Sequence, residues 1–189
     1  LSEQGELVWE TVTSSIVFFP PVGAEPPVIA EDVCPQPTEG LTQLISLADG
    51  LCFLYPSELE RDELFAATGI TGGPTVEVPN FGPMRARMVP SLFGPADGMT
   101  PAELLETWVD AGLDPSSFEE TTVGGAPAIT YFDNRGPVGQ IGAHIVADDR
   151  LYTMVANPYD HTLYPEQSAI IDQMWPVALE SMAFFDPWR

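Results

Sequence analysis

Six prolines stand within eighteen residues, at Pro20, Pro21, Pro26, Pro27, Pro35 and Pro37. Each proline fixes its own φ and lacks an amide hydrogen, so such a stretch stays extended and stiff and cannot lie in the middle of a sheet. It divides the 189-residue chain into an amino-terminal arm and a body that must find its core without it. We read residues 1–37 as a strand-like arm with its spacer, and residues 38–189 as a single domain. A body of that size can bury a real core.

The arm itself runs Glu-Leu-Val-Trp-Glu-Thr-Val-Thr-Ser-Ser-Ile-Val-Phe-Phe over residues 6–19. β-Branched and aromatic residues dominate, which predicts one extended strand or two short ones. Leu7, Val8, Trp9, Val12, Ile16, Val17, Phe18 and Phe19 are its candidate contact residues. They either fold back on the body or pair with another chain.

The charge balance excludes several activities. Lysine is absent, and Arg61, Arg85, Arg87, Arg135, Arg150 and Arg189 face 28 Asp and Glu, for a formal charge of −22. Neutralising phosphate backbones or anionic lipid needs clustered cations, so neither is an expected partner. Schiff-base chemistry and lysine-held phosphates are excluded outright. With 44% apolar and 18% charged residues the composition is that of a folded protein. The acidic residues then form a solvated shell, which also has the charge to attract calcium or cationic partners.

Cys34 and Cys52 are too far apart for a CxxC redox site, and no Cys/His set has zinc spacing. The expectation is a disulfide, worth about 3 kcal/mol for a loop of this length in the chain-entropy model. That points to an oxidising compartment; two buried thiols in a cytosolic domain are the alternative. No stretch has the roughly 18 to 20 apolar residues of a bilayer span. The first residue is Leu1 rather than Met, as removal of an export signal or trimming would leave it. The expected location is therefore secreted or cell-surface.

Along the body, Leu41 to Leu47 and Leu51 to Tyr55 predict a hairpin turning at Ala48-Asp49-Gly50. Ser57 with Glu60 is a capping-box pattern and predicts a short helix through Ala67. Val76 to Val78 and Met84 to Val89 predict strands, the second with Arg85 and Arg87 on one face and Met84, Ala86 and Met88 on the other. Thr100-Pro101-Ala102-Glu103 is the clearest local signal: a capping threonine, a proline suited to the first turn, and a glutamate that can close back onto Thr100. The helix it starts should stop at Gly112. Phe118 to Val123, Ala126 to Asp133, Val138 to Ala147 and Leu151 to Ala156 are joined by short turns, which predicts an antiparallel meander. A last helix runs from about Pro165 to Ala183, with Pro176 expected to kink or split it. Ala169, Ile170, Met174, Val177 and Leu179 are its expected inward face.

Four parts in this order resemble the PsbP-like fold over residues 41–185. They are a strand pair ending in Tyr55-Pro56, a capped helix from Thr100, the meander from Phe118 to Ala156, and a closing helix ending Leu179-Glu180-Ser181-Met182-Ala183-Phe184. The resemblance implies an α+β domain with a central antiparallel sheet flanked by helices. Its members include extrinsic proteins of the oxygen-evolving photosystem and many bacterial lipoproteins and secreted domains. It therefore implies an exported, non-catalytic domain, and it carries no site residue onto this chain.

Candidate chemistry is sparse. His144 lies mid-strand and reads as a core residue. His161 lies beside Asp160 in the loop before the last helix, which as an acid–base pair would still lack a nucleophile. Glu58, Glu60, Asp62 and Glu63 cluster without EF-hand order, as do Glu119 and Glu120. Asp133 with Asn134, and Asp148 with Asp149, suit a loop calcium site or plain turn chemistry. Gly72-Gly73 and Gly124-Gly125 read as turn glycines, without the context of a phosphate loop. We expect no catalytic residue, cofactor or metal.

Two functions remain. One is a non-catalytic extracellular structural or interaction protein, self-assembling into an oligomer or filament when the arm of one molecule adds to the sheet of the next or of a cell-envelope partner. The other is a ligand- or metal-binding accessory domain of an exported complex.

Overall fold

The computed structural model describes residues 30–62, 69–109, 112–136 and 138–186. The arm residues Leu7, Val8, Trp9, Val12, Ile16, Val17, Phe18 and Phe19 lie outside them. The architecture is α+β, with two antiparallel sheets. A short helix α1 (Ala30–Val33) precedes the hairpin β1 (Leu41–Ser46) and β2 (Leu51–Pro56). The chain continues through β3 (Glu60–Asp62), β4 (Gly69–Val78), β5 (Gly82–Pro95) and helix α2 (Pro101–Val109). The meander β6 (Glu119–Val123), β7 (Ala126–Asp133), β8 (Gln140–Ala147) and β9 (Arg150–Asn157) follows. Helix α3 (Pro165–Ser181) and the two-residue strand β10 (Ala183–Phe184) close the fold.

The large sheet has the order β3-β4-β5-β9-β8-β7-β6, and the small one β1-β2-β10. The main core lies between the large sheet on one side and α3 with the small sheet on the other. Leu44, Leu51 and Phe53 enter it from the hairpin, Ile70, Met88, Ile145 and Met154 from the large sheet, and Ile171, Met174 and Ala178 from α3. The opposite face of β7 and β8 is covered at one end by α2, where Leu105, Leu113, Ile129 and Tyr131 form a second cluster.

The capping box of α2 is formed as its sequence demands. The Thr100 amide donates to the Glu103 carboxylate at 2.8 Å, and the Glu103 amide donates to Thr100 Oγ1 at 3.3 Å. Both orphan donors are thereby satisfied. Gly112 follows with φ of +94°.

Several expectations are corrected. The stretch starting at Ser57 turns and enters strand β3 instead of a helix, as far as residue 62. The carboxylates there are engaged across the sheet, Glu60 with Arg85 at 2.8 Å and Asp62 with Arg87 at 3.2 Å. Residues 63–68, the rest of that expected helix, lie outside the described residues. Gly72-Gly73 is not a turn between strands. It is an irregularity inside the ten-residue β4, where Gly73 has φ of +75° and Ile170 of α3 packs where a Cβ would stand.

Helix α3 is continuous through Pro176. Pro176 has no amide to donate to the Asp172 carbonyl, and both residues are exposed, so the lost bond lies on the solvent side of the helix. The buried face of α3 is Gln167, Ser168, Ile171, Met174 and Ala178, so the expected Ala169 and Val177 do not belong to it. Two polar residues hold places in this stripe because each is bonded. Gln167 Nε2 donates to the Pro74 carbonyl at 3.0 Å, and Ser168 Oγ accepts the Asp160 amide at 3.0 Å.

Candidate functional site

Both histidines and several of the carboxylates singled out from the sequence have structural occupations. His144 on β8 is fully buried, with its ring edge-on to Tyr131 at a centroid distance of 5.3 Å. Burial pushes its pKa down to about 4, so the ring is neutral at physiological pH. Burial pushes the Tyr131 hydroxyl up to about 12, with the Asp133 charge adding to the shift. Tyr131 fits because its ladder partner is Gly142; a Cβ there would overlap the phenol ring.

His161 does not pair with Asp160. The Asp160 carboxylate instead accepts the amides of Thr162 at 2.7 Å and Leu163 at 2.9 Å, shaping the turn that leads into α3. His161 Nε2 lies 3.3 Å from the Tyr159 hydroxyl and 3.5 Å from Asp172 on α3. Tyr159 in turn donates to Asp172 at 2.9 Å. The group is exposed and holds no Ser, Thr or Cys nucleophile.

In the acidic turns that suit either calcium or plain turn chemistry, Asp133 and Asp149 are engaged by protein groups. Asp133 accepts from the Arg135 guanidinium at 2.8 Å on each oxygen, and from Gln140 at 3.4 Å. Arg135 is the first cause that holds its carboxyl below the ordinary range. Asp149 accepts the Gly98 amide at 2.8 Å. Asp148 and Asp149 both have positive φ, 50° and 58°, as a tight two-residue hairpin turn requires. Among the described residues, no three His, Cys, Asp or Glu side chains converge as a metal site would need.

Two concavities are lined by described residues. One, of about 270 Å³, lies between the start of α2 and strands β6 and β7, lined by Thr100, Glu120, Thr121 and Ile129 among others. The helix start it touches is already occupied by the Glu103 carboxylate. The other, of about 220 Å³, is lined by Phe81, Met84, Asp133, Val138, Gln140 and Asn157. Its one carboxylate is neutralised by Arg135.

The strand edges differ more informatively. Among the described residues the large sheet ends in β3, which reads Glu-Arg-Asp, and in β6, which begins Glu-Glu. Charged edges of this kind resist further strand pairing. The small sheet ends at one side in β10, only two residues long. At its other side stands β1, Leu-Thr-Gln-Leu-Ile-Ser, six residues without a charge. The sequence contains this contrast, but only the strand order shows which strands are edges.

The arm leaves the body beside that strand. Cys34 and Cys52 form a disulfide with Cα atoms 5.7 Å apart. Cys52 on β2 is the ladder partner of Ile45 on β1. Cys34, Cys52 and Phe185 form a buried cluster with Ala30, Ile45 and Ala183 packed against it. The Pro35 carbonyl accepts from Gln43 Nε2 at 2.7 Å. The end of the expected spacer is thus fastened onto the outer face of the small sheet.

The fold class is therefore an antiparallel α+β sandwich, and it bears on the expected PsbP-like resemblance. The chain is similar to the solution structure of cyanobacterial PsbP (CyanoP) from Synechocystis sp. PCC 6803. The match is 13% identical, covers 88% of this chain and 100% of that one, and has a TM-score of 0.46. This is a likeness of fold. No protein-family model matches the sequence, and no curated protein matches it. No helix among the described residues is long and apolar enough to cross a membrane.

Proposed function

We propose that this is an exported, non-catalytic protein that holds other protein chains by strand addition, with residues 6–19 as the donated strand and self-assembly as the result. The observation that carries the reading is the uncharged six-residue edge β1 in a molecule whose other described edges are charged or very short. A strand-prone segment and an unguarded edge are complementary, since pairing supplies backbone hydrogen bonds to both. The disulfide supports export, because such bonds persist in oxidising compartments. The engaged histidines and carboxylates favour interaction over catalysis.

Analytical ultracentrifugation of the full chain and of a chain lacking residues 1–29 tests this. The full chain should sediment as a concentration-dependent series and the shortened one as a monomer. A monomer in both cases would end the assembly reading. The second reading, a metal-binding accessory domain, would require a rise in melting temperature with calcium or manganese.

A further inference from the structure

Resting on that reading, we infer that the acceptor is the outer edge of β1, and that its occupant is the segment 6–19 of a second copy of this chain. The backbone orientation of β1 follows from its ladder. The Gly40 carbonyl accepts the Ser57 amide at 3.0 Å, and the register continues as Leu41 opposite Pro56 through Ser46 opposite Leu51. In an antiparallel ladder the hydrogen-bonded positions alternate, so the even-numbered residues of β1 bond to β2. An independent bond agrees. Leu54, opposite Gln43, sends its amide away from β1, to Ser181 Oγ on α3 at 2.8 Å.

Leu41, Gln43 and Ile45 therefore turn their amides and carbonyls away from β2. The Leu41 amide returns to the Thr38 carbonyl at 3.0 Å. The amides of Gln43 and Ile45, and the carbonyls of all three residues, face the outer edge. That is the row of donors and acceptors an incoming strand of about five residues pairs with. No charged side chain stands on β1 to oppose it.

The occupant follows from where the arm departs. Cys34 is fixed within one disulfide of β2, next to Ile45. Ten residues, including Pro20, Pro21, Pro26 and Pro27, separate Phe19 from Ala30. Proline-rich sequence favours about 3.1 Å of extension per residue, so this spacer reaches about 30 Å. The edge it starts beside is far closer than that. By composition and length, then, this spacer can present the strand-prone segment to the β1 edge of a neighbour. The contact is head-to-tail, so each copy donates once and accepts once, and the assembly is a ring where the rotation closes and a filament where it does not.

A complementation experiment in the full chain decides the matter. Gln43→Pro removes an outward amide and leaves the ladder to β2 intact, because proline is tolerated on an edge whose amide faces out. Gln43→Lys is a second acceptor variant that guards the edge with a charge. Val12→Pro with Ile16→Pro disables the donor. Circular dichroism and melting temperature confirm that each variant folds. Each variant alone should be a monomer, its self-association weakened at least about a hundredfold. An acceptor-dead chain mixed with a donor-dead chain should form a one-to-one complex that grows no further. Amide exchange in that complex should show protection at Gln43 and Ile45 of the donor-dead chain. Wild-type assembly that persists in both Gln43 variants would overturn β1 as the acceptor and leave strand donation standing. A monomeric wild-type chain would overturn both.

Discussion

The burial of His144 makes stability depend on pH in a window that the carboxylates do not share. Its pKa is about 4 in the folded protein against an ordinary 6.5. In the unfolded chain the ring takes a proton as the pH falls through 6.5, while in the fold it stays neutral until about 4. Protons then favour the unfolded state, so stability falls on acidification across this interval and levels off below it. At 1.36 kcal/mol per pH unit, the whole interval amounts to about 3 kcal/mol, and the part above pH 5 to about 2 kcal/mol. The carboxyls held low by their partners, Glu60, Glu103, Asp114 and Asp133, act with the same sign but at lower pH. Their stabilisation is present above ordinary carboxylate pKa values and is lost as the pH falls through the depressed ones.

Urea unfolding of the wild-type chain and of His144→Met at about pH 7.5 and about pH 5 isolates the effect. The wild type should lose about 2 kcal/mol more than the variant between the two conditions. His161 is present in both chains and cancels. Equal losses to within about 0.5 kcal/mol, or a His144 ring resonance that titrates near 6.5 in the folded protein, would refute the argument from burial.

Removing the disulfide with Cys34→Ala and Cys52→Ala should cost about 3 kcal/mol by loop entropy, which is about 6 to 12 °C in melting temperature for a chain of this size. Scanning calorimetry reads it, and a shift below about 2 °C would contradict it. Gly124→Ala should destabilise by at least about 1 kcal/mol, because a left-handed conformation disfavours a side chain. The position has φ of +59°, and the added Cβ would also meet the Met182 carbonyl. Thr100→Ala opens the capping box of α2 and should cost about 1 kcal/mol; chemical denaturation checks it.

The local chemistry of this chain was readable wherever a signal and its partner lie close in sequence. Thr100 and Glu103 are three residues apart, and the box formed. The turns at Gly124-Gly125 and at Asp148-Asp149 lie between strands that pair with each other, so the meander was readable too. Ser57 and Glu60 carry a helix-start pattern similar to that of Thr100 and Glu103, yet they lead into a strand. In the fold Glu60 is paired with Arg85 on β5, twenty-five residues away, a contact that no local pattern registers. The inward face of α3 was misjudged for the same reason. Apolarity pointed to Ala169 and Val177, whereas Gln167 and Ser168 are buried through partners at Pro74 and Asp160.

The candidate acceptor is a case of its own. Its residues, Leu41 to Ser46, were assigned correctly as a strand, but an edge is a property of strand order and not of composition. The outward direction of Gln43 rests on Ser181, more than a hundred residues further along. The donor residues 7–19 were legible as strand-prone from their β-branched and aromatic content alone, which says nothing of what they pair with.

The arginines at 85, 87, 135 and 150 are each held by a carboxylate of the same molecule. With these four cations occupied at home, the protein shows an approaching copy an anionic skin with little relief. Two such molecules repel over about 10 Å at 0.1 M salt. Contact is cheapest where the skin carries no charge. Dissolved ions then act as the gatekeeper of association, and dilution into low salt should keep the copies apart without altering a single contact within either one.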